Sequence, residues 1–248
     1  MNRDNLTTEL HDFLETAFAT PEGLTKLIDH YRLTAGKSYS FTNSILILCQ
    51  GGTVCDSFQG WKNGGRYVKK GEKGKIFIRR PMMARIKDDD GETKYIPIPG
   101  KFHWVTTFDI TQTDGKPIEY KHNETTPAAF EDYRKKLSVL CPIVEETTGT
   151  ARGYTDFKKI AVSVQSSNHD KTKTLFHEAA HFLLHKDSGQ TKAEKECEAE
   201  ATAFLCMKGL GLDSELSKEY YASYREEAKN IRLEKILSTA EKILKIAA

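Results

Sequence analysis

The sequence lacks the features that mark secreted and membrane proteins. Its longest apolar run, residues 45–49, is far too short to cross a bilayer, and its N-terminus lacks the basic-then-apolar plan of a signal peptide. Its five cysteines are odd in number and include no C-x-x-C pair. We therefore expect reduced thiols that act as small core residues, a cytoplasmic location and no membrane partner.

Net charge is nearly absent as well, but the charges are unevenly placed. The 248 residues carry a formal charge of only +2, whereas residues 61–80 carry eight basic side chains and one acid, a formal +7 that leaves −5 elsewhere. A basic segment on a mildly acidic protein is typical of a nucleic-acid contact. Aromatic residues lie among the basic ones and could stack on unpaired bases. Alternatively, they form the core of a small sheet whose lysine-rich edge is merely solvated.

The most specific motif is an H-E-x-x-H sequence formed by His177, Glu178 and His181. On a helix, the two histidines lie on one face, so both can bind one zinc ion while Glu178 reaches a water at the open position. The expected helix has an N-cap at Asp170 and a stop at Gly189. Two surface histidines on an ordinary amphipathic helix are the alternative. Apolar residues nearly all round the helix favour burial, and buried histidines need the partners that a metal supplies.

A zinc enzyme keeps three protein ligands and one open position, so a third ligand is expected. His185 continues the row of His177 and His181, but it lies two turns beyond His177, which is too far along the axis. In metzincin peptidases a ligand follows ten residues after the first histidine, beyond a glycine that breaks the helix. Here Leu184 stands at the glycine position and Asp187 at the ligand position, so that class fits badly.

A following helix offers a glutamate instead, as in gluzincin peptidases. The helix predicted over residues 191–209 opens with a T-x-x-E capping box. Within it, Glu196 and Glu200 share one face, whereas Glu198 points roughly to the opposite side. This periodicity favours Glu196 as the ligand and Glu200 as a partner that orients a histidine, although a solvated acidic face would have the same composition.

The apolar pattern predicts the elements of the first half. We expect helices over residues 6–18, 21–32 and 40–48, strands around glycine turns within residues 58–78, and further strands over residues 94–98 and 102–110. The polar residues 121–129 predict a linker.

Beyond that linker, the pattern predicts a helix over residues 130–140 and strands over residues 143–145 and 159–164. We expect the 159–164 strand to offer its free edge to an extended peptide substrate. Ser214 is expected to cap a helix with three tyrosines, any of which could donate a hydrogen bond to an oxyanion: Tyr220, Tyr221 and Tyr224. A last amphipathic helix has a predicted buried stripe of Leu233, Ile236, Leu237, Ala240, Ile243 and Leu244.

Three stretches of the first half resemble a known DNA-binding domain. Residues 39–43 (YSFTN), 61–74 and 107–113 (TFDITQT) are similar to the N-terminal single-stranded-DNA-binding domain of the ArdC-type antirestriction proteins of mobile elements. The H-E-x-x-H motif and the E-C-E-A-E sequence of residues 196–200 resemble the zinc metallopeptidase domain that follows it there, which is related to the ImmA/IrrE peptidases. The resemblance covers roughly residues 36–225.

This resemblance implies a zincin-like fold in the second half. It implies zinc held by His177, His181 and a glutamate, with Glu178 as the general base. The second motif of ImmA/IrrE-like peptidases reads approximately E-x-E/Q-A-N/D, which supports Glu196 as the third ligand. Glu200 then stands where Asn or Asp is usual, so its role in orienting a histidine is a departure from the family pattern.

The basic segment and the resemblance together predict a surface that binds single-stranded DNA. The residues that we expect there are Tyr39, Asn43, Trp61, Lys62, Arg66, Tyr67, Lys69, Lys70 and Lys73.

We predict an α+β protein with two domains. Residues 1–122 form a DNA-binding domain of helices and a small antiparallel sheet, and residues 123–248 form a zincin-like metallopeptidase domain. The predicted activity is zinc-dependent cleavage of DNA-bound protein substrates, with an antirestriction-like role.

Two alternatives stay open. One is a protein that coats single strands, with a structural or vestigial zinc site; the other is an ImmA-like protease that cleaves one repressor.

Overall fold

Three helices open the part of the chain that the computed structural model describes, which comprises residues 6–34, 39–87, 90–117, 130–214 and 230–247. Helix α1 spans Leu6–Phe18, α2 spans Pro21–Thr34 and α3 spans Phe41–Cys49, in agreement with the apolar pattern. Ser40 is the N-cap of α3, because its hydroxyl accepts a hydrogen bond from the backbone N–H of Asn43.

One long antiparallel hairpin dominates the first half. Strand β3 (Ile76–Lys87) pairs with β4 (Thr93–Asp109), whereas two separate strands were expected over residues 94–98 and 102–110. The register shifts between Pro81 and Met83. At this irregularity, residues 98–101, which include a proline and a glycine, are left unpaired, and β4 continues on both sides of them. The sequence pattern predicts a break between two strands there.

Short elements flank this hairpin. Strand β1 (Cys55–Asp56) pairs with β4, and β2 (Arg66–Val68) pairs with β5 (Thr113–Gly115). Between β1 and β2, where a strand was expected, helix α4 spans Phe58–Asn63. It forms there because the Ser57 hydroxyl accepts a hydrogen bond from the Gly60 N–H and so caps a helix.

The second half is a small three-stranded sheet covered by helices. It begins with α5 (Phe130–Leu137) and β6 (Ile143–Glu146), followed by β7 (Gly153–Thr155) and β8 (Ile160–Ser163). The strand order is β6-β8-β7, with β6 parallel and β7 antiparallel to β8. The expectation that residues 159–164 offer a free edge is therefore wrong, because β8 is paired on both sides. The edge strand on that side of the described sheet is β7.

The last helices are α6 (Asn168–Leu184), α7 (Lys192–Gly209) and α8 (Leu233–Ala247). The N-cap of α6 is Ser167 and not Asp170, since the Ser167 hydroxyl accepts a hydrogen bond from the Asp170 N–H one turn later. Helix α6 ends at Leu184, before the predicted stop at Gly189. The capping box that opens α7 is confirmed, as are all six buried residues predicted for α8. The predicted helix with three tyrosines lies outside the described residues.

A continuous hydrophobic core joins the helices of the two halves. Leu14, Phe18 and Phe41 lie in the same buried cluster as Phe204 of α7 and Ile243 of α8. The α+β class is confirmed. The predicted domain boundary at residues 122 and 123 lies outside the described residues and stays a prediction. None of the described helices combines the length and the apolar composition that a membrane span requires.

One buried hydrogen bond crosses between the halves. The Oε2 atom of Glu241, on α8, accepts a hydrogen bond of 2.9 Å from the backbone N–H of Phe41, at the start of α3. The first N–H groups of a helix have no partner within the helix, so Glu241 satisfies a donor that burial would otherwise leave unpaired.

We expect Glu241→Ala to lower the free energy of unfolding by about 1–3 kcal/mol, because it orphans a buried backbone donor. Glu241→Gln keeps an acceptor and is expected to lose less. Urea denaturation of both variants measures the effect, with Lys242→Ala as the matched control because Lys242 is exposed on the same helix. Equal losses in Glu241→Ala and Lys242→Ala would contradict this role.

Candidate metal centre

Helices α6 and α7 place three potential ligand atoms around one point. The Nε2 atoms of His177 and His181 lie 3.0 Å apart, and Glu196 Oε2 lies 3.4 Å from the first and 3.7 Å from the second. In the described part of the chain, these three side chains form the group of histidine, cysteine and carboxylate donors that lie close enough together to hold an ion.

This donor set fits a divalent metal ion. Zinc binds histidine nitrogen and carboxylate oxygen at about 2.0–2.2 Å, so that donors at tetrahedral positions lie about 3.3 Å from one another. The separations of 3.0, 3.4 and 3.7 Å agree with that spacing. The structure thus brings together the three predicted ligands. The competing candidates lie elsewhere. Glu198 contacts His185 and Arg232, and Glu200 contacts Lys173 and the other ring nitrogen of His177.

Glu178 lies beside these ligands and lines the same cleft of about 890 Å³. Its side chain is buried. Burial raises the pKa of Glu178, although the neighbouring His177 and His181 partly offset the effect. A buried carboxyl group with a raised pKa beside candidate metal ligands suits proton transfer, which is the predicted role of this residue.

The edge strand β7 forms one wall of this cleft. Gly153, Tyr154 and Thr155 all line it. A Cβ atom at Gly153 would lie 2.5 Å from Thr174 Cγ2 and 3.4 Å from Glu178 Cγ, so only glycine lets the strand backbone pack this closely on α6. The close contact holds the backbone of β7 next to Glu178.

The second ring nitrogen of His177 contacts Glu200, the residue that we expect to orient a histidine. Glu200 Oε2 lies 3.4 Å from His177 Nδ1, and its Oε1 lies 2.8 Å from Lys173 Nζ. Burial disfavours the charged form of His177, but the hydrogen bonds with Glu196 and Glu200 outweigh it and raise its pKa to about 9. The hydrogen bonds with the two histidines hold the pKa of Glu196 well below its usual range.

The second ring nitrogen of His181 contacts another histidine. His181 Nδ1 lies 2.8 Å from His185 Nδ1, and His185 Nε2 lies 3.0 Å from Glu198 Oε2. Glu198 in turn binds Arg232. Burial acts to raise the pKa of Glu198, but the hydrogen bonds from His185 and Arg232 prevail and lower it to about 2. Burial also lowers the pKa of His185.

Three of these residues have contacts that the sequence pattern does not assign to them. The pattern offers His185 only as a ligand, although its spacing of four from His181 predicts contact on one helix face. Lys173 precedes His177 by the same spacing. Arg232 lies far along the chain from Glu198, so no local pattern indicates it.

Four of the nine predicted DNA-binding residues are buried or half-buried and contact other parts of the fold. The amide of Asn43 exchanges two hydrogen bonds of 2.8 Å with the backbone of Arg79, and so clamps α3 to β3. Trp61 is buried and donates to the Phe108 carbonyl. Arg66 binds the backbone of Thr113, and Tyr39 packs on a small core of Ile47, Cys55, Ile76 and Ile78. Sequence reasoning does not distinguish such residues from stacking ones.

The other five predicted residues lie on the surface. Lys62, Tyr67, Lys69, Lys70 and Lys73 are all exposed, and the Tyr67 side chain is 61% exposed. Lys69 donates to the Thr111 carbonyl, which holds its ammonium near the turn after β4. The exposed set therefore includes four cations and one aromatic ring, all within residues 62–73.

Comparisons with known proteins agree with the described fold. Residues 134–235 match the family model of the IrrE N-terminal-like domain, Peptidase_M78. The Mn(II)-bound crystal structure of the antirestriction protein ArdC from plasmid R388 aligns over 96% of each chain with a TM-score of 0.55 and 18% identity. Its metal-free structure aligns over 90% of this chain and 96% of that one, with a TM-score of 0.48 and 20% identity.

One curated relative is an uncharacterized protein of Bacillus anthracis. It is 24% identical over 266 residues, which cover 86% of this chain but only 45% of the relative. The chain thus spans less than half the length of that protein. The chain therefore has a fold similar to that of ArdC, and its residues 134–235 match the model of the IrrE N-terminal-like domain.

Proposed function

We propose that the chain is a zinc-dependent endopeptidase. The observation that carries this proposal is the position of buried Glu178 beside three convergent donor atoms, those of His177, His181 and Glu196, in an open cleft. Three protein donors leave a position for water or substrate, which is the arrangement of catalytic rather than structural zinc sites.

The chemistry divides between the metal and Glu178. Zinc bound at such a site lowers the pKa of water to about 7 and polarises a carbonyl group. Glu178 accepts the proton of the attacking water and then donates it to the leaving amine of the peptide. Burial raises the pKa of Glu178, which favours the protonated carboxyl group that the second transfer requires.

The substrate lies along β7. This strand pairs with β8 through one edge, and its backbone lines the cleft beside Glu178. An extended peptide that adds to such an edge binds through main-chain hydrogen bonds, with little sequence preference. A bond in the middle of an extended segment then reaches the metal, which makes the enzyme an endopeptidase.

The first half binds single-stranded DNA and directs the peptidase to DNA-bound proteins. Its support is the set of exposed side chains within residues 62–73, which comprises the cations Lys62, Lys69, Lys70 and Lys73 and the aromatic ring of Tyr67. Cations that track phosphates and an aromatic face that stacks on a base suit unpaired strands. The structural neighbour is an antirestriction protein, and we propose an antirestriction-like role for this chain as well.

We expect Glu178→Gln to retain zinc and DNA but to cleave at least about 100-fold more slowly, because it removes the general base. The assay follows cleavage of a DNA-binding protein by zinc-loaded enzyme, with and without single-stranded DNA. Glu131→Gln, on the exposed face of α5, is the control. Undiminished cleavage by Glu178→Gln would refute the mechanism. A wild type that binds DNA but cleaves nothing would favour the coating alternative.

In the metal-free protein, the His177 imidazole is expected to titrate with a midpoint near pH 9, since Glu196 and Glu200 stabilise its charged form. Metal binding must displace this proton, so metal affinity is expected to rise with pH up to that midpoint. Nuclear magnetic resonance titration gives the midpoint. Glu200→Gln is expected to lower it, and a wild-type midpoint below about 7 would contradict the described contacts.

For the DNA surface, we expect Lys70→Ala combined with Lys73→Ala to weaken binding to single-stranded DNA. If each lysine contacts one phosphate, the negative slope of log affinity against log salt becomes less steep by about 1.4. Fluorescence anisotropy at several salt concentrations measures both quantities. The matched control removes two exposed lysines of α8, Lys235 and Lys242. An unchanged slope in the first double variant would place the DNA elsewhere.

A further inference from the structure

A chain of buried polar contacts leads from one candidate ligand to the start of α8. His181 Nδ1 lies 2.8 Å from His185 Nδ1, and His185 Nε2 lies 3.0 Å from Glu198 Oε2. Arg232 closes the chain, because its Nη2 donates to the same Glu198 oxygen at 2.6 Å while its Nε and backbone N–H donate to Oε1. His185 is 3% exposed and Glu198 is fully buried.

The donors and acceptors in this chain determine where each proton lies. Arginine has only donors, so both oxygens of Glu198 serve as acceptors. His185 Nε2 must then carry a hydrogen and donate it to Glu198. In the neutral ring, His185 Nδ1 is left with a lone pair and accepts from His181 Nδ1. Consequently His181 carries its hydrogen on Nδ1, and its Nε2 lone pair points towards His177 and Glu196.

We propose that Arg232 and Glu198 act through His185 as positioning residues, which hold His181 in the tautomer and orientation that present Nε2 to the metal. This inference rests on the metal site of the proposed function. In this inference His185 and Glu198 do not bind the metal, and Glu198 is not part of a solvated helix face. Both residues instead fix the proton and the orientation of His181. The two histidine ligands are then held differently, His177 by a carboxylate directly and His181 through a second imidazole.

The geometry also favours a role beyond simple packing. Arg232 donates to the carbonyl of Leu184 at the end of α6 and so ties α6, α7 and the start of α8 at one point. A carboxylate buried as completely as Glu198 is stable only while its donors remain, and a misplaced donor would be costly. Because the fold holds Arg232 in place against Glu198, it also determines which atoms around Glu198 carry hydrogens.

Helix α7 supplies a matched control. Glu194 lies one turn before Glu198, and its Oε1 accepts from the backbone N–H of Asn230, two residues before Arg232. Its other contacts are those of the capping box with Thr191. Glu194 therefore fastens the same segment to the same helix, and no contact to a histidine is described for it.

The test is Glu198→Gln in the full-length chain. A glutamine keeps its oxygen on the Nε and backbone N–H of Arg232 and turns its NH₂ group towards His185 Nε2, which must then accept, while the hydrogen bond from Arg232 Nη2 is lost. His185 would carry its hydrogen on Nδ1 and donate to His181 Nδ1, which places the His181 hydrogen on Nε2, the atom that binds the metal. We expect zinc affinity to fall by about 10- to 100-fold, whereas Glu194→Gln retains wild-type affinity.

Two measurements decide the outcome. Competition with a chelator gives the zinc affinity, and the ¹⁵N shifts of the imidazole rings give the tautomers of His185 and His181. Support requires wild-type His185 protonated at Nε2, a switch to Nδ1 in Glu198→Gln, and loss of affinity in that variant alone. Equal affinities in wild type and Glu198→Gln would overturn the inference.

The wild-type spectrum is informative even if Glu198→Gln does not fold, since a His185 hydrogen on Nδ1 would also overturn the inference. A conservative variant provides a further check. Arg232→Lys leaves the carboxylate of Glu198 with a donor, and we expect the wild-type His185 tautomer to persist in it. A switched tautomer in Arg232→Lys would count against the inference. A wild type that binds no zinc would instead refute the proposed function on which the inference rests.

Discussion

The structure depends on the partners that neutralise or hydrogen-bond three carboxylates of one helix where it packs on its neighbour. Glu196, Glu198 and Glu200 all project from α7 into its contact with α6, where an unpartnered charge would be too costly to keep. Each carboxylate has different partners. Glu196 lies beside two imidazoles, and Glu198 lies between His185 and Arg232. Glu200 lies between His177 and Lys173. The small residues Ala180 and Ala199 pack together between the helices and allow this close approach. The metal site is therefore one outcome of a wider requirement for paired charges between α6 and α7.

Helix α8 connects this requirement to the first half of the chain. Near its start, Arg232 binds Glu198, and Glu234 pairs with Arg79 of β3. Further along, Glu241 receives the first N–H of α3, while Asn43 of α3 clamps the backbone of Arg79. These contacts fasten the hairpin, α3 and α8 to one another, and the common hydrophobic core runs beneath them. The half that carries the exposed lysines is thus attached to the helix that supports the metal site, rather than merely linked to it along the chain.

Local signals in the sequence were sufficient for much of this. The H-E-x-x-H spacing, the capping box of α7 and the apolar stripe of α8 all depend on residues within a few turns, and the structure contains each of them. What the sequence could not indicate depends on distant pairing. Strand β8 is central because β6 and β7 both pair with it, and Trp61 is buried because Phe108, far along the chain, accepts its hydrogen bond. The structural contacts of Asn43 and Arg66 have the same origin, since their partners are remote backbone atoms.

The balance of charge argues independently for a divalent ion. Four carboxylates surround the candidate centre, those of Glu178, Glu196, Glu198 and Glu200, and the contacts described for them include two permanent cations, Lys173 and Arg232. Counted over these side chains alone, the excess is two negative charges, and because Glu178, Glu198 and Glu200 are buried, it requires compensation. Without a metal, protonation can supply part of it, since the hydrogen bonds with Glu196 and Glu200 raise the pKa of His177 to about 9 despite its burial, and burial raises the pKa of Glu178. A divalent cation on the three donor atoms would supply all of it. It would release those protons and leave Glu178 ionised and free to accept one from water.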